Sequence, residues 1–187
     1  MIWDTWKNKS LDETIALCRD LVEDTDFPTV KKWKAAGGKT LGHFQVYFPE
    51  EIAHAAGMLP VKLRGSQVDR KKADAHFGSY ICSIPRSSLE LCLSGTLDLD
   101  MFVTHPICDV ARNLAGIWAR NFQYPAQILY LPQNANSAYS VRYLRDEYAR
   151  LARELEKITG TPIPDAALKN SIRVFNENRR WLRQVYA

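Results

Sequence analysis

The sequence predicts an α/β fold, a Rossmann-like parallel sheet flanked by helices, with N-terminal helices before it and two long C-terminal helices after it. Short apolar runs alternate with helix-forming segments between residues 40 and 131. Turn-forming Gly and Pro residues separate these segments. Strands that alternate with helices are typical of βαβ units, and such units build parallel sheets.

Residues 1–38 are predicted to form an N-terminal helical segment. Ser10 and Glu13 make a capping-box pattern ahead of an apolar helix face that includes Cys18. A short basic helix is expected to follow Pro28 and to end at the glycine pair 37–38.

Residues 39–135 are predicted to form the α/β domain that carries the functional site. Its strands are short and apolar, and its helices begin at positions where Pro or carboxylate residues are favourable. The expected strands are Thr40–Phe48, Leu59–Leu63, Met101–Thr104 and Ala126–Leu131, and the expected helices are a short one opened by Pro49, then Ile84–Ser94 and Asp109–Phe122.

Residues 136–187 are predicted to form a pair of long helices, each with one apolar stripe. The last helix reaches Ala187 without a Gly, Asn or Pro stop signal. That pattern indicates either an interrupted chain, leading into a second α/β domain, or a helix end that frays.

The composition and charge are typical of a globular protein that binds neither nucleic acid nor membrane. Of the 187 residues, 46% are hydrophobic and 25% are charged, which is typical of a globular chain with its own core. The net charge of +4 is mild and spread over helices, so we expect no nucleic-acid partner. No apolar run is long enough for a bilayer and no signal peptide is visible, so we expect a cytoplasmic protein with no membrane contact.

Cys82 and Cys108 are the candidate metal ligands. Each lies just before a predicted helix, where free N–H groups favour an anionic thiolate, and each has an arginine, Arg86 or Arg112, four residues later. Because Cys108 also follows a predicted parallel strand, the two sulfurs are expected at one edge of the sheet, within about 7 Å of each other. The alternative for any cysteine is a small buried residue, which is our interpretation of Cys18 and Cys92.

Glu51 is the candidate catalytic residue. It follows a predicted strand, at the start of the next helix, where a carboxylate can exchange protons with a substrate. Its neighbour Glu50 is interpreted as a favourable partner of the helix dipole. The histidines lack metal-binding spacing, and only His105, three residues before Cys108, stands close to a candidate ligand.

Three segments carry a family resemblance: GHFQVYFPEEIAHAAGMLPVKL, ADAHFGSYICSIPRSSLELCLSG and HPICDVARNLAGIW. In this order they resemble the 2-hydroxyacyl-CoA dehydratase and benzoyl-CoA reductase family, and the resemblance covers the first half of a family subunit. Within the family, the chain looks most like the smaller cluster-bearing subunit of the ATP-dependent reductase branch. Many dehydratase relatives have a small hydroxyl or thiol residue in the strand before the PEE motif, where this chain has Gln45 and Val46, and this difference disfavours a hydroxyacyl dehydratase.

The resemblance implies a 4Fe–4S cluster with Cys82 and Cys108 as two of three cysteine ligands, the third lying in a domain that this sequence lacks. It also implies a homologous second cluster-bearing subunit in a heterodimer, an ATP-hydrolysing iron–sulfur electron donor and an acyl-CoA substrate. The implied activity is the dearomatising reduction of an aromatic acyl-CoA in anaerobic aromatic degradation, with the isolated chain inactive.

Three alternatives stay open. The first is a 2-hydroxyacyl-CoA dehydratase subunit that acts through a ketyl radical. The second is a non-catalytic CoA-binding or assembly module. The third is a zinc or thiol site on a Rossmann-like fold. Analysis of iron and labile sulfide separates the cluster-bearing alternatives from the others.

Overall fold

The computed structural model describes residues 8–44 and 47–187. Four strands form one sheet: β1 (Lys39–Phe44), β2 (Met58–Leu63), β3 (Met101–Thr104) and β4 (Ala126–Ile128). The helices of the described part are α1 (Leu11–Glu23), α2 (Pro28–Ala35), α3 (Glu50–Ala55), α4 (Ser83–Leu93), α5 (Asp109–Asn121), α6 (Ser140–Thr159) and α7 (Asp165–Tyr186), with a short 3-10 helix at Ala73–His76.

The sheet has the order β2-β1-β3-β4, and every neighbouring pair is parallel. The predicted α/β fold with a parallel sheet is therefore confirmed. The expected strand Thr40–Phe48 was too long, because Tyr47 has a backbone φ of 67°, which a strand does not adopt. The last strand also ends at Ile128, before the expected Leu131.

Alternation along the strands produces two hydrophobic cores, one on each face of the sheet. Leu41 and Val103 belong to the core that α3 and α6 cover. Phe44 and Phe102 belong to the core on the other face, where Phe102 stacks on Trp118 of α5 with ring centroids 4.1 Å apart. Successive strand side chains point to opposite faces, so a three-layer arrangement follows from the pattern.

Helix α1 forms as predicted but does not bury its apolar face. The side chain of Ser10 accepts a hydrogen bond from the Glu13 amide, and the Glu13 carboxylate accepts one from the Ser10 amide, which completes the capping box. None of the residues of α1 is buried, however, and Cys18 is exposed. The interpretation of Cys18 as a small buried residue was therefore wrong, because an amphipathic pattern does not say whether a partner surface is present.

The two C-terminal helices pack on the same face of the sheet as α3. Leu151 and Leu155 of α6 are fully buried in that core, whereas α7 lies against α3. The division into segments at residues 38 and 135 stays a prediction. In the described part of the chain, none of the helices combines the length and the apolar character needed to cross a bilayer.

Candidate metal centre

Both candidate cysteines occupy the position just before a helix. Cys82 is the N-cap of α4 and Cys108 is the N-cap of α5, and both residues are exposed. The Cys108 sulfur already accepts a hydrogen bond from the Ala111 amide, with Sγ and N 3.4 Å apart, whereas the Cys82 side chain makes no such bond. The unpaired amides of a first helical turn favour an anion at this position, which is the thiolate form that binds metal.

The starts of α4 and α5 open on one cleft of about 510 Å³. Cys82 lines the cleft, and so does Asp109, the residue directly after Cys108. Phe77 and Tyr80, from the segment that precedes Cys82, contribute aromatic surface to the lining. The cleft thus brings the two cysteine-bearing helix starts to a common space, and the expected sulfur-to-sulfur separation of about 7 Å stays a prediction.

The two cysteines supply a donor type that suits part of an iron–sulfur site, although Cys82 lines the cleft and Cys108 does not. Fe–S clusters are held by cysteine thiolates, and two exposed thiols at helix starts supply that ligand type. Within residues 8–44 and 47–187, no group of three or more His, Cys, Asp or Glu side chains could hold a metal ion. Because Fe–S clusters use several thiolates, Cys82 and Cys108 would be part of a ligand set and not the whole of it.

The wall of the cleft is fastened to α4 by two of its charged residues. The buried Glu90 carboxylate accepts hydrogen bonds from the amides of Lys72 and Ala73, at 2.9 and 2.7 Å. One turn earlier, Arg86 donates from two of its nitrogens to Asp74, at 2.8 and 2.6 Å. Together these bonds fix the 3-10 helix that leads to Cys82.

Arg86 has a different partner in the structure from the one that the sequence predicted. The sequence predicted that Arg86 would assist the Cys82 thiolate, but in the structure its guanidinium is paired with the carboxylate of Asp74. The role of Glu90 was not anticipated, because its amide partners lie 17 and 18 residues away and leave no periodic signal.

Glu51 lies in the first turn of α3, on the side of the sheet that α6 and α7 cover. Its carboxylate forms an ion pair with Arg179 of α7, and its side chain is only 15% exposed. Its backbone carbonyl accepts a hydrogen bond from Ser171 at 2.8 Å. Tyr148 of α6 packs in the same core as α3, and burial, followed by the negative charge of Glu51, raises the pKa of the Tyr148 hydroxyl. Glu51 is not among the residues that line the cysteine cleft, and its catalytic role stays a prediction.

Glu50 has a partner that the sequence did not indicate. The Nε2 atom of the buried His43 lies 2.9 Å from a carboxylate oxygen of Glu50, although the approach falls outside hydrogen-bond geometry. This contact with His43 holds the pKa of the Glu50 carboxyl below its ordinary value. Glu50 thus links α3 to β1, in addition to the expected interaction with the helix dipole.

Cys92 lies in the core between α4 and the sheet, as the sequence predicted. It is buried, and burial raises the pKa of its thiol to about 12. A thiol with such a pKa stays protonated near neutral pH, and a protonated thiol is a poor metal ligand and nucleophile.

The family model for the D-component of 2-hydroxyglutaryl-CoA dehydratase matches residues 45–187. The chain belongs to this family. It is 40% identical over 185 residues to a benzoyl-CoA reductase subunit of Thauera aromatica, covering 95% of this chain and 47% of that protein. It is also 33% identical over 157 residues to the beta subunit of (R)-2-hydroxyglutaryl-CoA dehydratase of Acidaminococcus fermentans, covering 82% of this chain and 41% of that protein.

The chain is also similar to a second dehydratase subunit. The identity to the (R)-phenyllactyl-CoA dehydratase beta subunit of Clostridium sporogenes is 31% over 169 residues, covering 87% of this chain and 44% of that protein. The chain therefore spans less than half the length of each of these relatives. All three are named as subunits of enzymes that act on CoA thioesters, so the chain is a relative of acyl-CoA enzyme subunits.

The burial pattern predicts how the four thiols differ in reactivity. Iodoacetamide added to the native chain at pH 8 should alkylate the exposed Cys18, Cys82 and Cys108, and peptide mass spectrometry should find Cys92 unmodified. The same treatment in urea should modify all four cysteines, which would show that Cys92 can react once it is no longer buried. Rapid alkylation of Cys92 in the native chain would contradict the packing of α4.

Proposed function

We propose that the chain is part of the iron–sulfur subunit of an ATP-dependent, low-potential benzoyl-CoA reductase. The observation that carries the proposal is the placement of two exposed cysteines at the starts of helices that open on one cleft. The 40% identity to a benzoyl-CoA reductase subunit, over nearly the whole chain, favours this branch of the family over the dehydratases.

In this proposal Cys82 and Cys108 are ligands of a 4Fe–4S cluster. The cluster would supply electrons at low potential, received from an ATP-hydrolysing iron–sulfur protein. The chain itself contributes the two thiolates, the Ala111 amide that donates to Cys108, and the wall of the cleft that Glu90 holds in place. A homologous cluster-bearing subunit and the rest of the full-length chain would complete the site and enclose the acyl-CoA.

A dehydratase of 2-hydroxyacyl-CoA is the second candidate function. Two of the relatives above are dehydratase beta subunits, at 31% and 33% identity. The two functions share the cluster ligands and differ in the acyl group, so turnover of benzoyl-CoA against a 2-hydroxyacyl-CoA separates them. A non-catalytic CoA-binding module would show neither turnover nor iron.

Replacing either candidate ligand should remove the cluster. The full-length chain, purified anaerobically with its partner subunit, should lose its own share of the iron and labile sulfide when Cys82→Ser or Cys108→Ser is introduced, because serine does not replace the thiolate, whereas the partner's cluster should remain. Cys18→Ser is the matched control, since Cys18 is exposed but lies on α1, away from the cleft. Iron content equal to that of the unchanged protein in both variants would refute the proposed ligands.

Replacing Glu51 should slow turnover without loss of iron. Glu51→Gln removes the proton-exchanging group, and loss of a general acid or base lowers kcat by roughly 10²–10⁴-fold. Arg179→Gln is the control, because it breaks the same ion pair with α7 but leaves the carboxylate in place. Steady-state turnover and iron analysis of the assembled enzyme measure both effects. Equal losses in the two variants would assign Glu51 to the docking of α7, and unchanged turnover would remove it from the mechanism.

A further inference from the structure

Tyr47 combines backbone strain with an exposed aromatic ring. Its φ of 67° lies in the left-handed region, which costs energy for any residue other than glycine. The residue is 67% exposed, so burial of the ring does not offset that cost. Strained residues cluster at functional sites, but Asn8 and Phe27 also have positive φ, so a function for Tyr47 has to be inferred from its surroundings.

The ring of Tyr47 lies against His105. The two ring centroids are 5.8 Å apart and the rings are nearly perpendicular, at 89°. The Nδ1 atom of His105 lies 2.8 Å from the backbone oxygen of Leu129. A carbonyl oxygen can only accept, so Nδ1 carries the proton, and the neutral imidazole keeps a lone pair on Nε2. The anchor therefore fixes both the orientation and the tautomer of His105.

Both residues follow strands that end side by side. Phe44 at the end of β1 pairs with Thr104 at the end of β3, so Tyr47 and His105 lie in neighbouring loops at that edge of the sheet. Ligands of open α/β sheets bind beyond the carboxyl ends of the strands. Among the described residues, Phe48 and Leu129 pack with His105 at the same edge and leave no space for a ligand beneath it, so a ligand here would lie on the outer side of His105, with Tyr47.

We propose that Tyr47 and His105 form a subsite for the acyl end of an aromatic CoA thioester, an inference that rests on the proposed function. The Tyr47 ring packs against the planar acyl group, since aromatic pairs contribute beyond their buried area. The His105 Nε2 atom accepts a hydrogen bond from the pantetheine amide N–H nearest the thioester, because that amide is the donor closest to the acyl group. The strained backbone of Tyr47 holds its ring in place for this contact.

Matched variants separate the ring, the strain and the imidazole nitrogen. Tyr47→Phe keeps the ring, Tyr47→Ala removes the ring but keeps the strained backbone, and Tyr47→Gly removes both. His105→Asn keeps a side-chain N–H that can donate to the Leu129 carbonyl, but it has no counterpart of Nε2. Each variant is made in the full-length chain, assembled anaerobically with its partner subunit.

Calorimetric titration with benzoyl-CoA and acetyl-CoA measures the binding contribution of each group. Tyr47→Ala and Tyr47→Gly should weaken benzoyl-CoA binding by about 3- to 10-fold and leave acetyl-CoA nearly unchanged, and Tyr47→Phe should match the unchanged protein. His105→Asn should weaken both thioesters by about 10-fold, since both carry the amide. Tyr47→Gly should also unfold at a higher temperature than Tyr47→Ala, because glycine tolerates the positive φ.

The outcomes distinguish this subsite from the proposed function. Unchanged affinity for benzoyl-CoA in Tyr47→Ala and His105→Asn would overturn the subsite. If these two variants also keep the iron content of the unchanged protein, that result does not affect the proposed cluster ligands. Equal unfolding temperatures of Tyr47→Gly and Tyr47→Ala would show that no strain is held at Tyr47, which also overturns the proposal. Failure of the unchanged assembly to bind benzoyl-CoA would overturn both the subsite and the reductase function.

Discussion

The parallel pairing of β1 with β3 is the constraint on which the rest of the site depends. Phe44 and Thr104 are partners in this ladder, so both strands end at the same edge of the sheet. The loop after β1 leads to α3 and Glu51, whereas the loop after β3 leads through His105 to Cys108. A shift of register by one residue would turn the core side chains to the wrong faces, so packing on both faces of the sheet protects the alignment of this edge.

The cleft next to Cys82 depends on a second set of contacts, which α4 makes with the segment that precedes it. The segment between β2 and α4 has only a short 3-10 helix, and such a segment would be mobile without side-chain contacts. Glu90 and Arg86 supply those contacts from successive turns of α4. The Glu90 carboxylate is costly to remove, because the amide of Ala73 would then be buried without a partner. The helix that begins at Cys82 thus also holds the wall of the cleft next to Cys82.

The sequence was sufficient for the local features and insufficient for the long-range polar contacts. The alternation of strands and helices predicted the parallel sheet, the spacing of Ser10 and Glu13 predicted the capping box, and an apolar helix face predicted the burial of Cys92, because each of these patterns is read from residues close in the chain. The ion pair of Glu51 with Arg179 spans 128 residues and has no counterpart in any periodic pattern. Cys18 shows a different limit of the sequence. Its helix was predicted correctly, but the described part of the chain leaves the apolar face of that helix exposed.

The central claim is that Cys82 and Cys108 belong to one site, and thiol cross-linking tests it most directly. A chain with Cys18→Ser and Cys92→Ser keeps only the two candidate ligands. A short bifunctional thiol reagent such as dibromobimane should join them within one molecule, because sulfurs that share a compact cluster lie within about 7 Å. Peptide mass spectrometry should then find one linked peptide pair. Single modification of each cysteine, without a cross-link in the folded chain, would contradict the account.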